Sequence, residues 1–248
     1  MNVIADSFRV AWIDMRYVRR NIVAVIVTTS VVPLLYMFAF GFGLGKGMTV
    51  DGMDYLAFMI PGIIALSTLT GCFNTVATKV MLQRNYYQSF DELYLCSMRP
   101  VSIVLGKSYM GVIRGLISCA VLYTVGMIVC KDIRIVPTAL LLIVFSCMIY
   151  SLLGVVSGLL ANSHIALNLF NTLAVLPMTF FCGTIFSLDA LPLWLADAIG
   201  VLPLTQSTAC IRASMLGTEF PWISLLGMIV FFALFLSVSC FIMIKRRS

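Results

Sequence analysis

Charge is what this sequence has least of. Only 10% of its 248 residues are Asp, Glu, Lys or Arg, while 61% belong to the apolar set that includes Cys and Tyr, and mean hydropathy is +1.07. A soluble domain is roughly 25% charged and 45–50% apolar. A domain of about 250 residues still exposes about a quarter of its unfolded surface, so this apolar excess cannot be hidden from water. Soluble globular, disordered and disulfide-scaffold classes are excluded. One histidine occurs, His164, and there is no HExxH, GxSxG, GxxxxGK[ST] or CxxC spacing. The eight cysteines show no paired spacing, which leaves a bridge between Cys182 and Cys210 open but unsupported. No site for metal, hydrolysis or nucleotide is legible.

What remains is a polytopic membrane protein, all-α. A bilayer-crossing helix needs roughly 20 residues, and a charge at the bilayer centre costs a few kcal/mol, so charge-free runs locate the spans. The spans fall at about 21–43, 55–78, 104–130, 135–161, 165–188 and 220–244, six helices, the third made by extending the short charge-free run Gly115 to Cys130 back to Val104. The long run from Ile135 to Leu188 is cut at its one strongly polar cluster, Asn162-Ser163-His164. Arg114 belongs near the inner end of span three. The first run follows about twenty mixed residues and extends well beyond the 7–15 residues of a signal core. The stretch 189–216 holds Asp189, Pro192, Trp194, Pro203 and Arg212, with apolar pieces too short to span. It reads as a re-entrant or interfacial helical hairpin, a shape tolerated at membrane depth where it packs on protein or lines a cavity. No Asp or Glu falls in mid-span. Ion-coupled carriers and intramembrane hydrolases need such groups, so energy for uphill movement must come from another subunit.

Twelve of the sixteen basic residues (Arg9, Arg16, Arg19, Arg20, Lys79, Arg84, Arg99, Lys107, Arg114, Lys245, Arg246, Arg247) fall on the side that holds both termini. Lys and Arg accumulate in the cytoplasm, so both termini are expected there. The net charge of +6 follows from this asymmetry and the anionic inner leaflet, and calls for no nucleic-acid partner. Two amphipathic elements lie on the same side. Residues 1–20 put Ile4, Phe8, Ala11, Trp12 and Met15 on one helical face. A second strip holds Val10, Ile13 and Tyr17, for an anchor lying on the bilayer or a helix shared between lipid and a protein partner. Residues 84–99 put Tyr86, Phe90, Leu93, Tyr94 and Met98 on one face and Glu92 with Leu95 on the other. A solvent-facing Leu beside a Glu suits a helix that docks on another protein. Arg99-Pro100 ends it, because the residue before proline avoids the α region.

Three stretches of the sequence resemble the permease subunits of type-2 ATP-binding-cassette exporters, the drug-resistance, lipo-oligosaccharide and polysaccharide export type. The first is Tyr55-Leu56-Ala57-Phe58-Met59-Ile60-Pro61-Gly62. The second is Phe90-Asp91-Glu92-Leu93 through Met98-Arg99-Pro100-Val101-Ser102 and Leu105-Gly106-Lys107. The third runs from Gly183 to Trp194, then Leu202-Pro203-Leu204-Thr205 and Arg212. Ser187 and Val201-Leu202 stand where the family more usually has Pro and Asn. The resemblance implies a permease in the plasma membrane of a prokaryote, paired with a second copy or paralogue. It also implies separate ATPase subunits below, with ATP-Mg bound on those partners and no cofactor on this chain. It makes residues 84–99 a coupling helix, with Asp91, Glu92, Leu95, Ser97 and Arg99 as ATPase contacts, and makes the hairpin dip in from outside. Pro33, Pro61 and Pro177 become candidate kinks in spans one, two and five. The rival readings are a non-transporting membrane anchor or assembly protein, which has no need of an exposed Leu95, and a membrane enzyme acting on lipid-linked substrates.

Overall fold

A computed structural model describes residues 3–39, 49–50, 53–87, 90, 98–130, 136–181, 183 and 192–247. Its elements are helices: α1 Val3–Arg20, α2 Ile22–Tyr36, α3 Tyr55–Asn85, α4 Pro100–Val129, α5 Pro137–Leu160, α6 His164–Phe170, α7 Leu176–Phe181, α8 Leu193–Gly200, α9 Pro203–Leu216 and α10 Trp222–Arg247. A π-helical turn, Asn171–Val175, joins α6 to α7. A two-residue antiparallel ladder, β1 (Thr49–Val50) with β2 (Met53–Asp54), leads into α3 and pairs Thr49 with Asp54. Six helical stretches are long and apolar enough to cross a membrane: Ile22–Ala39, Tyr55–Asn85, Pro100–Val129, Pro137–Leu160, His164–Phe181 and Trp222–Lys245.

Local chemistry sets the helix ends. Proline opens α4, α5 and α9 at the first turn, where its missing N–H costs nothing and its φ is already helical. Gly217 closes α9 in the left-handed region, φ 72°, which a residue without Cβ adopts freely. The polar cluster at 162–164 is a turn, as expected: α5 stops at Leu160, and the Ser163 hydroxyl caps α6 by accepting from the Ala166 N–H at 3.2 Å.

Helix α3 is the axis of the bundle. Twenty of its 31 residues are buried. It packs between α4 and α5 through two stripes of small residues, Gly111 with Gly115 on α4 and Gly154 with Gly158 on α5. A Cβ at Gly115 would meet Cys147 Sγ at 2.8 Å and would also press on Cys72 Sγ. One at Gly158 would meet the Ala77 carbonyl oxygen at 2.7 Å and Val80 Cβ at 2.8 Å. Lipid offers no hydrophobic drive for helix association, so close approach through small residues supplies the attraction.

Helix ends differ from the sequence reading in an instructive way. Helix α3 continues to Asn85 and α4 begins at Pro100, so Arg84 and Asn85 finish span two rather than begin the cytoplasmic helix. Charges mark where hydrocarbon stops, not where helical hydrogen bonding stops. At 1.5 Å per residue α3 is roughly 46 Å long, well beyond the roughly 30 Å of hydrocarbon. Span five is helical to Phe181 and Gly183 takes φ 64°; the rest of the expected span, 184–188, lies outside the described residues. Of the second strip of α1, Val10 is buried inside the chain. Val10 lies against α4, where a Cβ on Gly106 would meet Val10 Cβ at 2.7 Å, while Phe8 and Trp12 are exposed.

Candidate functional site

Two adjoining cavities run beside α3. The first, about 220 Å³, lies between α2, α3 and the π turn with α7, lined by Val32, Tyr36, Met59, Leu66, Asn171 and Phe180 among others. The second, about 570 Å³, continues along α3 to α4 and is lined by Thr75, Thr78, Lys79, Tyr87 and Arg114. Asn74 lines both. One stripe of α3 at successive turns therefore forms a common wall. It is apolar at Met59, Ile63 and Leu66, polar at Thr70, Asn74 and Thr78, and cationic at Lys79.

The cationic end is built by three helices. Lys79 Nζ pairs with Asp14 Oδ1 of α1 at 2.7 Å, with Asp14 only 4% exposed. Lys107 of α4 is buried, feels the Asp14 charge, and holds its Nζ 5.7 Å from the centre of the Phe90 ring. Arg114 donates from Nη1 to Thr75 Oγ1 at 3.3 Å. Arg84 at the end of α3 donates to the Leu159 carbonyl and, at 2.8 Å, to Asn162 Oδ1, and Asn85 Nδ2 donates to the Ala161 carbonyl at 3.2 Å. These bonds tie the end of α3 to the turn between spans four and five, where His164 lies 6.3 Å from the Tyr86 ring. Met243 near the C-terminus packs in one cluster with Val80, Phe90, Ile103 and Leu159. Both chain termini thus lie at this end of the bundle.

The opposite end is organised by α8 and α9. The Tyr150 hydroxyl of α5 donates to the Pro203 carbonyl at 3.1 Å and meets the Ser207 hydroxyl. Thr138 Oγ1 meets Ser214 Oγ at 2.6 Å. Helix α9 therefore runs antiparallel to α5, and the α8–α9 turn lies beside Tyr150, roughly 20 Å along α5 from its Pro137 end. Thr205 Oγ1 donates to the Ile199 carbonyl at 2.7 Å, and Gln206 Nε2 reaches the Gly200 and Val201 carbonyls at 3.4 Å. These side chains add to the backbone bonds at the end of α8, where the Ile199 carbonyl also accepts from the Leu202 N–H at 3.0 Å. Arg212 closes this end. Its Nε donates to the Phe58 carbonyl at 3.2 Å, its Nη2 to the Gly183 carbonyl at 2.8 Å, and its guanidinium lies 3.7 Å from the Phe58 ring centre. Cys210 is a buried free thiol, and burial pushes it up to about 11.

The residues singled out in the sequence divide by location. Asp91, Glu92, Leu95, Ser97, Asp189 and Cys182 lie outside the described residues. Arg99 is exposed and extended, φ −72° and ψ 139°, directly before α4. Pro192 precedes α8, Trp194 is exposed on it, and buried Pro203 opens α9. The three prolines of the spans sit inside helices or beside irregular turns. Pro33 deprives the Thr29 carbonyl of its helical donor, and Ser118 Oγ of α4 replaces it at 3.0 Å. Pro61 lies inside α3, close to the Phe58 carbonyl that Arg212 engages. Pro177 lies two residues past the end of the π turn, and both features are common causes of helix irregularity. Asp14, Lys107 and the two glycine stripes were missed. The i, i+4 glycines of α4 and α5 are a readable signal, whereas Asp14 looks like one more charge on a surface helix.

A bundle of six bilayer-length helices, with a groove that grades from apolar to cationic, defines a polytopic helical membrane protein. A profile of the ABC-2 type transporter family matches residues 8–216, and the chain belongs to that family. It is 24% identical over 227 residues to the inner membrane transport permease YadH of Escherichia coli (strain K12), covering 90% of this chain and 88% of that protein. It is 28% identical over 194 residues to Nodulation protein J of Rhizobium leguminosarum bv. viciae, covering 75% and 72%. Nodulation protein J of Rhizobium meliloti (strain 1021) is 26% identical over 202 residues, covering 78% and 74%.

Proposed function

We propose that this chain is the plasma-membrane permease of an ATP-driven exporter, working as a pair with separate ATPase subunits that carry the ATP-Mg. The groove carries this reading. Polar Thr70, Asn74 and Thr78 face a cavity at the level of the spans; Thr70 is bonded within its helix to the Leu66 carbonyl, while Asn74 stands exposed where the two cavities meet, as a polar passage needs. A membrane anchor has no use for it. The groove is bordered by α2 and α7, whose outer faces are mostly exposed, whereas α3 and α5 are mostly buried. One chain therefore supplies one wall, and a second copy or paralogue closes the passage. Helices α8 and α9 are the re-entrant hairpin of the outer side. A turn roughly 20 Å from the end of α5 lies about two-thirds of the way through roughly 30 Å of hydrocarbon. Helix α1 lies at the inner interface, its Phe8 and Trp12 in lipid and its Arg9, Arg16, Arg19 and Arg20 toward anionic headgroups.

The segment between the end of α3 at Asn85 and the start of α4 at Pro100 is the coupling segment, with Asp91, Glu92, Leu95, Ser97 and Arg99 on the ATPase. Burying a Leu side chain contributes about 1.5–3 kcal/mol, one to two decades of affinity. The test is co-purification with a candidate Walker-motif ATPase, with substrate-stimulated ATP turnover in lipid. Leu95→Asp is expected to abolish association while the permease stays folded and inserted. Full association and transport by Leu95→Asp would reduce the segment to a membrane anchor.

A further inference from the structure

Span five (His164–Phe181) is out of step with the other exposed spans. A helix surrounded by hydrocarbon is expected to be strongly apolar. Helix α10 obeys this, being both the least buried and the most apolar of the six spans. Span five is the next least buried, yet it is the least apolar. Within it only Leu167, Val175 and Met178 are buried. The discrepancy falls on one stripe. Asn168, Asn171 and Thr172 follow i, i+3, i+4 spacing and so lie side by side. Asn168 and Thr172 are exposed and Asn171 is half-buried. No hydrogen bond from these three side chains occurs among the described residues. Ile165, Leu169 and Leu173 flank the stripe, 82%, 59% and 69% exposed, and such side chains belong in hydrocarbon.

Given the paired permease of the reading above, we propose that this stripe is the seam of the pair. Span five of one copy packs against span five of a second copy across a two-fold axis. Lipid tails cannot bond a carboxamide, and leaving one in hydrocarbon is costly. Asn171 and Thr172 lie roughly 11 and 12 Å along the helix from its start at His164, so the partner lies within the bilayer. Each asparagine offers two donors and one acceptor oxygen, so two identical stripes satisfy one another. An isologous contact requires that self-complementarity. Polar side chains and close packing, not apolar burial, hold membrane helices together. The position also fits the groove. Asn171 lines the cavity between α2, α3 and the π turn, whereas Asn168 and Thr172 line neither cavity. The stripe therefore runs from the cavity wall onto its rim, where a second copy has to meet the first to close the passage.

The experiment uses the full-length chain in liposomes. Dimerisation is followed by energy transfer between donor- and acceptor-tagged copies as added lipid dilutes them. The double variant Asn168→Leu, Asn171→Leu is expected to weaken the dimer about tenfold. Asn168→Gln, which keeps a carboxamide, is expected to stay near the parent. Oxidation with copper phenanthroline gives a second readout, and it carries the test should the leucine variant fail to fold. Asn168→Cys or Thr172→Cys is expected to yield a disulfide-linked dimer above the background set by the parent's own cysteines. Ile223→Cys, 89% exposed on α10, is expected to stay at that background.

An undiminished dimer in the leucine variant, or cross-linking at 168 and 172 no greater than at 223, overturns the proposal. Two other results overturn it and name another occupant. Rapid reaction of Asn168→Cys with a water-soluble maleimide, without cross-linking, assigns the stripe to an aqueous passage. A chain that stays monomeric in liposomes leaves the stripe to a different membrane protein. Pairing needs no ATPase. A dimer joined at 168 and 172 without ATPase coupling therefore rejects the permease reading alone, and coupled transport by a dimer indifferent to these residues rejects the seam alone.

Discussion

Arg212 is the residue that joins most of the hairpin end. It reaches span two through the Phe58 carbonyl and ring, and the end of span five through the Gly183 carbonyl, from a base on α9. A hydrogen bond from a charged donor contributes about 1.5–3 kcal/mol, and a desolvated cation over an aromatic face up to about 2 kcal/mol. Lysine presents a point charge on a flexible stem and cannot fork between two carbonyls while stacking on a ring. Arg212→Lys is therefore expected to destabilise the fold by about 2–3 kcal/mol. Thermal unfolding in detergent measures this, and an unchanged midpoint would mean the three contacts do not act together. The sequence marked Arg212 as part of a motif, but its partners were not legible. They lie 154 and 29 residues away in the chain and are backbone carbonyls, which no residue type announces. Asp14 was hidden for a different reason. Burial of an acid depends on a cation supplied from another helix, here Lys79, and sequence shows the two only as separate surface charges.

At the scale of elements, the spans were legible and their contacts were not. Hydrocarbon penalises charge so strongly that charge-free runs located the six helices, the third only after its short run was extended past Arg114, and the polar cluster at 162–164 found the turn between two of them. Which helix sits at the centre depends on shape, and shape is set by small residues. Helix α3 becomes the axis because Gly111 and Gly115 on one side, and Gly154 and Gly158 on the other, let two neighbours approach its backbone. Gly158 is the tightest of these against backbone, since a Cβ there would sit 2.7 Å from the Ala77 carbonyl oxygen. That oxygen belongs to a helix and cannot swing aside. Gly158→Ala is expected to push α5 off α3 and cost about 1–3 kcal/mol, and Gly158→Leu to prevent assembly of the bundle. Gly200→Ala is the control, because nothing lies within 4 Å of a Cβ at that position. Protease resistance in detergent reads the difference, and equal resistance of Gly158→Leu and the parent would mean α3 and α5 are held by other contacts.

The whole molecule has two chemically different ends, and this polarity predicts an orientation in the membrane with both termini inside. At one end Lys79, Arg84, Lys107 and Arg114 gather with α1 and with Met243 near the C-terminus. At the other end Arg212 is spent on internal contacts with carbonyls, and the acids Asp54, Asp197 and Glu219 occur in or beside its elements. Translocation disfavours Lys and Arg in short loops far more than it notices Asp and Glu. The inner leaflet also adds about 1 kcal/mol for each Lys or Arg held near its surface. Four arginines of α1, Arg9, Arg16, Arg19 and Arg20, are exposed there. Inverting the molecule would carry this whole set across the bilayer and forfeit each of those terms together. A cysteine placed at Asp51 is therefore expected to react with a membrane-impermeant maleimide in intact cells. One placed at exposed Tyr87 should react only after the membrane is opened. The expectation for Lys131 matches that for Asp51, and for Ser248 it matches Tyr87. Labelling of position 51 only in opened cells would reverse the orientation, and with it the assignment of α8 and α9 to the outer side. The groove's cationic mouth would then open outward, and cargo would have to be taken from the wrong leaflet for an exporter.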